Sequence, residues 1–199
     1  MDNLFDHLRD LLHANIHPLE RQDEIWRRYG RTAAIMMLDS AGFSRTTEHQ
    51  GIVHFLTQLT KMRQIIERVC NASACHALRF EADNAYAAFE HPDQAIETAF
   101  TIHEAIEREK LMLADREPYR VCIGIGYGKL LWSETLEGYF GEEVNIASKL
   151  GEDTARGGET LLTENAYRHA ERRLVGGFSK SHLCVAGIEA TFYRHRFGA

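Results

Sequence analysis

Two aspartates in this sequence stand where a carboxylate can do chemistry. The first is Asp39 in RTAAIMMLDSAGFS (residues 31 to 44): an unbroken apolar and β-tolerant run of strand length ends on the acid, where the chain must change direction. Ser40, Gly42 and Ser44 follow, small residues that let a backbone turn tightly, and a helical pattern begins soon after, so free N–H groups should point to where an anion could sit. The second is Asp83 in HALRFEADNAYAAFEHP, where strand-like runs 76 to 82 and 85 to 90 flank Asp83-Asn84 as a hairpin corner. With both strands in one sheet and these ends adjacent, the two carboxylates converge on one Mg²⁺ site, the oxygen-ligand arrangement that nucleotide phosphates complete.

Three further groupings carry a chemical and a bland reading. Gly124, Gly126 and Gly128 alternate in YRVCIGIGYGKLLW (119 to 132) and so share one strand face; either a ligand or another chain approaches that face closely, or a helix packs tightly on it. Their spacing matches neither a dinucleotide fingerprint nor a P-loop. Asn145 and Lys149 lie four apart on one face of a helix in EGYFGEEVNIASKLGEDT (137 to 154); an amide and a cation pointing the same way otherwise make a solvated polar face. His103-Glu104 lacks the second histidine of a zinc helix and reads as an ordinary helix histidine.

The elements that must position these groups follow from periodicity. Ile52, Leu56, Leu59, Met62, Ile66 and Val69 repeat at helical spacing, as do Ala95, Ile96, Ala99, Ile102 and Ile106 after Pro92. The order is strand, helix, strand, strand, helix, strand, then further helices and strands. That is an α+β fold with a βαββαβ core, helices on one face of a largely antiparallel sheet. Leu4, Leu8, Leu11 and Leu12 stripe a helix ahead of it, and Pro18 separates a second helical pattern. We therefore expect a helical appendage over 1 to 30, packed on its own domain or holding a dimer, and one further domain over 31 to 199.

Composition narrows the setting. A chain of 199 residues, 44% hydrophobic and 26% charged, supports one substantial core rather than two. The net charge of −6 offers no basic field for nucleic acid, and no apolar run approaches a membrane span, so neither partner is expected. The acidic, amphipathic segment after Met1 lacks the features of a signal peptide, and a cytoplasmic location is expected. Cys70, Cys75, Cys122 and Cys184 lack paired spacing and read as free thiols.

From about Arg31 onward the chain resembles the class III nucleotidyl (adenylate/guanylate) cyclase catalytic domain. LDSAGFS is similar to that family's first metal motif, FxDxxGFT or its GFS form; EADNAYAAF is similar to GDxxxAxF; YFGEEVNIASKL is similar to FGxxVNxAxRL. The resemblance implies a ferredoxin-like palm extended at its C-terminal side and a homodimer with composite sites. It implies that Asp39 and Asp83 bind two Mg²⁺ or Mn²⁺ ions, and that the backbone of Ser40, Ala41, Gly42, Phe43 and Ser44 cradles the phosphates of a nucleoside triphosphate. It places Lys129 where many members have a phosphate-binding arginine, Asn145 at the asparagine that orients the ribose, and Lys149 at the arginine that stabilises charge on the α-phosphate. Arg79 and Gly138 align with the base-reading pair, usually Lys and Asp or Thr. Ala82 replaces a glycine, and Ala186 before Gly187 replaces a C-terminal lysine. The activity implied is cyclisation of a nucleoside triphosphate, ATP first on family prevalence. The alternatives are a non-catalytic cyclase-homology module, relaxed or pyrimidine base selectivity, and a diguanylate cyclase, whose GGDEF-type signature Gly141-Glu142-Glu143 faintly echoes.

Overall fold

The computed structural model describes residues 3–115, 117–133, 138–185 and 188–198, with the backbone alone at 183–185, 188 and 189. Helices α1 (Leu4–His13) and α2 (Gln22–Tyr29), with a 3-10 turn over Pro18–Arg21 between them, precede strand β1 (Gly30–Ser40). Helices α3 (Phe43–Gln50) and α4 (Ile52–Asn71) come next, then the hairpin β2 (Ala77–Glu81) and β3 (Asn84–Phe89), then α5 (Pro92–Arg108). A small hairpin of β4 (Met112–Ala114) and β5 (Glu117–Pro118) leads to the long β6 (Val121–Trp132). The remainder is β7 (Tyr139–Phe140), α6 (Glu142–Lys149), a π-helical turn (Leu150–Thr154), β8 (Glu159–Thr163), α7 (Glu164–His169), α8 (Arg172–Val175), β9 (Ser179–Val185) and β10 (Ile188–Arg196).

The main sheet runs β2-β3-β1-β6-β8-β10-β9, with β7 paired to β6. Its first four strands are the βαββαβ core, and every pairing is antiparallel except β6 with β8. Strand β1 is central because both neighbours need it: Leu38 pairs Ala85 on β3 and Ile123 on β6. Its alternate side chains bury on both faces, which is why the run reads as continuously apolar.

On one face Met36, Leu38, Phe89, Ile123 and Ile125 pack against Phe55, Met62 and Ile66 of α4 and Ile96 and Ile102 of α5. The helical stripes seen in the sequence are these contacts. Helix α5 starts where Pro92 sets its first turn, and His91 and Gln94 close a capping box. His103 faces this core, its ring bonded to the Thr160 hydroxyl at 3.1 Å, and burial lowers its pKa to about 4. It is a structural histidine.

The two helices of the βαββαβ core share that face as expected, and a later helix takes the other. Helix α6 crosses it, with Val144 packed on Ala33, Ile35, Ala88 and Leu130. The glycine stripe is the reason it can. A Cβ on Gly124 would stand 2.0 Å from the Ala147 carbonyl oxygen, and one on Gly126 would stand 2.4 Å from that of Glu143. Backbone meets backbone there, so the close neighbour of the glycines is a helix of the same chain rather than a ligand or a second protomer.

The N-terminal helices pack on their own domain: Leu4, Ile25 and Tyr29 cluster with Leu131 and Phe140. Phe5 meets Phe140 edge to face at 5.4 Å between ring centroids. Cys70, Cys75 and Cys122 are free thiols, Cys75 only half-buried; the Cys184 side chain lies outside the described residues. Among the described residues no helix is long and apolar enough to cross a membrane.

Candidate functional site

Asp39 lies one residue before the end of β1 and takes the same face as Ile35 and Met37, the face that α6 crosses. Asp83 sits in the two-residue corner Ala82-Asp83, because Asn84 already pairs with Glu81 as the first residue of β3. Ala82 adopts φ +49, a left-handed conformation that an alanine enters only under constraint. The constraint is visible: Arg63 of α4 donates to the Ala82 carbonyl, and its guanidinium lies 4.9 Å from the centroid of the Phe80 ring. The Ser40 hydroxyl, 2.7 Å from the Tyr119 hydroxyl, reaches the Asp83 carbonyl oxygen at 3.4 Å. The corner is thereby pinned beside the end of β1.

The two carboxylates feel each other. Burial first, and then the charge of Asp83, push Asp39 up to about 6, against the Ser40 N–H that donates to Asp39 Oδ1 at 2.7 Å. Partly desolvated, mutually repelling acids are relieved by a divalent cation, and carboxylate oxygens are the ligands Mg²⁺ and Mn²⁺ prefer. Among the described residues no group of three or more His, Cys, Asp or Glu side chains is arranged to hold a metal. Two protein carboxylates therefore leave most of the coordination sphere to phosphate and water, the usual situation for Mg²⁺ on nucleotides.

The turn after Asp39 is partly committed. The Ser40 N–H is taken by Asp39, and the Ala41 N–H donates to the Arg120 carbonyl at 3.1 Å. Gly42, at φ +97, then opens α3, so the N–H groups aimed outward as a helix start are those of Gly42, Phe43 and Ser44. A Cβ on Gly42 would press on Leu113 at 2.9 Å, which makes glycine the fitting residue there for space as well as conformation.

Farther along the same face is a cavity of about 630 Å³ whose lining includes Arg79, Tyr86, Trp132, Gly138, Tyr139 and Asn145. Arg79 lies beside Tyr86 in the β2–β3 register, its guanidinium 5.0 Å from that ring's centroid and 3.4 Å from Glu81 Oε2. Gly138 has φ +69 and open space where a Cβ would go. The structure thus brings together the residues aligned with base and ribose recognition, and separately the two acids. Arg79 is four residues from Asp83 and Ile35 is four from Asp39, so the two groups are roughly 13 Å apart along the strands.

The two expected lysines are placed differently. Lys149 is exposed at the last turn of α6, one turn beyond Asn145, where a cation also suits the helix C-terminus. Lys129 pairs with Thr32 at the far end of β6, while Asp39 pairs with Cys122, seven positions or roughly 23 Å away. Lys129 also points to the face opposite the glycine stripe. Within one chain it does not join the acids. Ala186 and Gly187 lie outside the described residues.

Residues the sequence did not single out complete the picture. Tyr119 supports Ser40 from below, its pKa pushed up to about 12 chiefly by burial. Tyr86, Trp132 and Tyr139 supply the aromatic walls of the cavity. Glu152, in the π-helical turn, accepts from Asn84 Nδ2 at 3.1 Å and from the Tyr86 hydroxyl at 3.4 Å.

No protein-family model and no curated protein matches the sequence. Solved structures do match. An adenylate/guanylate cyclase/hydrolase from Silicibacter pomeroyi superposes with a TM-score of 0.71 at 21% identity, covering 85% of this chain and 99% of that one. The guanylyl cyclase Cya2 gives 0.69 at 17% identity over 83% and 91%. An adenylate cyclase from Trypanosoma brucei, solved in its monomeric state, gives 0.63 at 16% identity over 82% and 88%. The chain has the fold of a class III cyclase catalytic domain.

Proposed function

We propose that this chain is a metal-dependent nucleotidyl cyclase that converts a nucleoside triphosphate, ATP first, to the 3′,5′-cyclic monophosphate and pyrophosphate. The observation that carries the reading is the meeting of Asp39 and Asp83 at one end of the sheet, on the face whose other end holds Arg79, Gly138 and Asn145. In the reaction the ribose 3′-oxygen loses its proton and bonds to the α-phosphorus, and the bond from that phosphorus to the bridging oxygen of pyrophosphate breaks. Asp39 and Asp83 would hold two Mg²⁺ or Mn²⁺ ions, which supply charge stabilisation at the attacking and leaving oxygens. The N–H groups of Gly42, Phe43 and Ser44 hold phosphate oxygens, Asn145 orients the ribose, and Lys149 offsets charge on the α-phosphate.

The separation of the two groups supports a homodimer. Roughly 13 Å of strand separates Asp39 from Ile35 and Asp83 from Arg79 in the cavity wall, and Asn145 and Lys149 are exposed on α6. Two copies packed head to tail would place the acids of one against the cavity of the other, giving two composite sites. The glycine stripe is no part of this support, since α6 covers it.

The test is incubation of the purified protein with each nucleoside triphosphate and Mg²⁺ or Mn²⁺, with products identified by mass. Asp39→Ala and Asp83→Ala should each abolish product while the fold survives. Mixing inactive Asp39→Ala with inactive Asn145→Ala protein should restore part of the activity, because one site of the heterodimer keeps every group. Full turnover by either acid variant would remove the metal pair from the mechanism. A dead mixture in which heterodimers demonstrably form would put complete sites within single chains.

A further inference from the structure

We propose that Glu152 is a positioning residue that latches the Asp83 corner to the end of α6; its bearing on catalysis rests on reading Asp39 and Asp83 as a metal pair. Directly after Lys149 the helix widens into a π turn, a rare form that concentrates at functional sites. The Ala155 N–H donates to the Leu150 carbonyl at 2.7 Å, and the Thr154 hydroxyl to that of Lys149 at 3.1 Å. Gly151 lets this turn lie flat on the sheet: a Cβ there would meet Met37 Sδ at 2.6 Å and the Gly124 nitrogen at 3.2 Å. Seated over β1 and β6, the turn carries its next side chain, Glu152, across to β3, where Asn84 and Tyr86 both donate to it.

The charge alone does not hold Glu152 in place, because Asp83 and Asp153 repel it. The hydrogen bonds oppose that repulsion. Asn84 is covalently next to Asp83, so fixing its amide fixes the corner on which that carboxylate rides, as outer-shell partners fix ligands in metal sites. Glu152 joins two parts of the α6 face that carry proposed chemistry in sequence-distant segments: the β2–β3 corner with Asp83, and the helix bearing Asn145 and Lys149. In the proposed dimer those parts serve opposite sites, so the latch also sets one site's geometry relative to the other.

Glutamine and alanine separate the latch from the charge. Glu152→Gln keeps an oxygen that accepts from Asn84 and Tyr86; Glu152→Ala keeps neither bond. The first readout is amide hydrogen exchange over residues 81 to 86 in the full chain without metal. Glu152→Ala, which loses both bonds, should speed exchange about 10-fold, Asn84→Ala, which keeps the Tyr86 bond, by a smaller factor, and the double variant should be no faster than Glu152→Ala. Glu152→Gln should stay near the parent. Unchanged exchange in Glu152→Ala overturns the latch, and so does a Glu152→Gln variant as fast as the alanine. Should Glu152→Ala fail to fold, Asn84→Ala carries the same comparison. The second readout is Mn²⁺ titration calorimetry on the same proteins. The alanine variants should bind on the order of 10-fold more weakly, as outer-shell losses do, with glutamine restoring the affinity. A parent that shows the exchange pattern but binds no Mn²⁺ refutes the metal pair and leaves the latch standing. A parent that binds Mn²⁺ with all variants alike refutes the latch's role in metal binding.

Discussion

Replacing Asp39 by asparagine should make the metal-free protein more stable while removing the proposed activity. The cause is burial first and the charge of Asp83 second, which together move Asp39 from an ordinary 3.8 to about 6. A shift of that size corresponds to about 3 kcal/mol between protonation states. Asp39 is only about half-buried, so screening by water reduces this to on the order of 1–2 kcal/mol. The sign follows from linkage. A carboxyl whose folded pKa is raised binds its proton more tightly in the native state, so its contribution is fully present below the unfolded value and is lost as pH rises through about 6. Near neutral pH the ionised acid therefore costs stability. The asparagine side chain imitates the protonated form: its oxygen still accepts from the Ser40 N–H, and its amide can donate to Asp83. Urea denaturation in chelator at about pH 7 should show Asp39→Asn more stable than the parent by on the order of 1–2 kcal/mol, with the gap closing as pH falls through about 6 towards about 4. Added Mn²⁺ should stabilise the parent and leave the variant nearly unmoved. A variant less stable than the parent at neutral pH, or a gap that does not change with pH, would refute the account of two acids sharing one site.

Three further outcomes are expected. Ala82→Gly relieves a left-handed alanine at φ +49 and should raise stability by about 1 kcal/mol in urea, with a loss as the contrary result. Gly124→Ala drives a methyl to within 2.0 Å of the Ala147 carbonyl, and should lower stability by about 3 kcal/mol or more. In competition among ATP, GTP, CTP and UTP, the parent should convert ATP with a narrow margin, because Arg79 offers only donors and Gly138 no side chain. Gly138→Asp, tolerated at φ +69 better than most side chains, adds an acceptor into open space and should shift preference towards ATP; strict and unchanged selectivity would place base reading elsewhere.

The core was legible because its signals are local. Apolar runs ending on Asp39 and flanking Asp83 are strands, and stripes of Ile and Leu before and after them are the two covering helices. His103 is legible for the same reason, as a histidine on the buried stripe of α5. The glycine stripe was only half legible: missing side chains say that something is near, and only the fold says that it is α6. Alternation along β6 already separates Lys129 from the glycine face, which the family alignment alone obscured. Strands β4, β5 and β7 have two or three residues each, too few to carry a period. The aromatic walls of the cavity could not be read. Tyr86, Trp132 and Tyr139 come from three segments, and Glu152 meets Asn84 across 68 positions of chain.

The backbone-to-backbone seat of α6 on β6 also governs how this face can move. Side-chain interfaces slide by exchanging rotamers, but Gly124 and Gly126 have none to exchange, and the helix meets them through its own carbonyl groups. Shear between α6 and β6 is therefore blocked, and the pair must travel as one rigid body. Val144 and the turn at Gly151 seat the same helix on β1 as well, so any closure that carries Asn145 towards a nucleotide moves β1, β6 and α6 together rather than letting a helix glide over a fixed sheet.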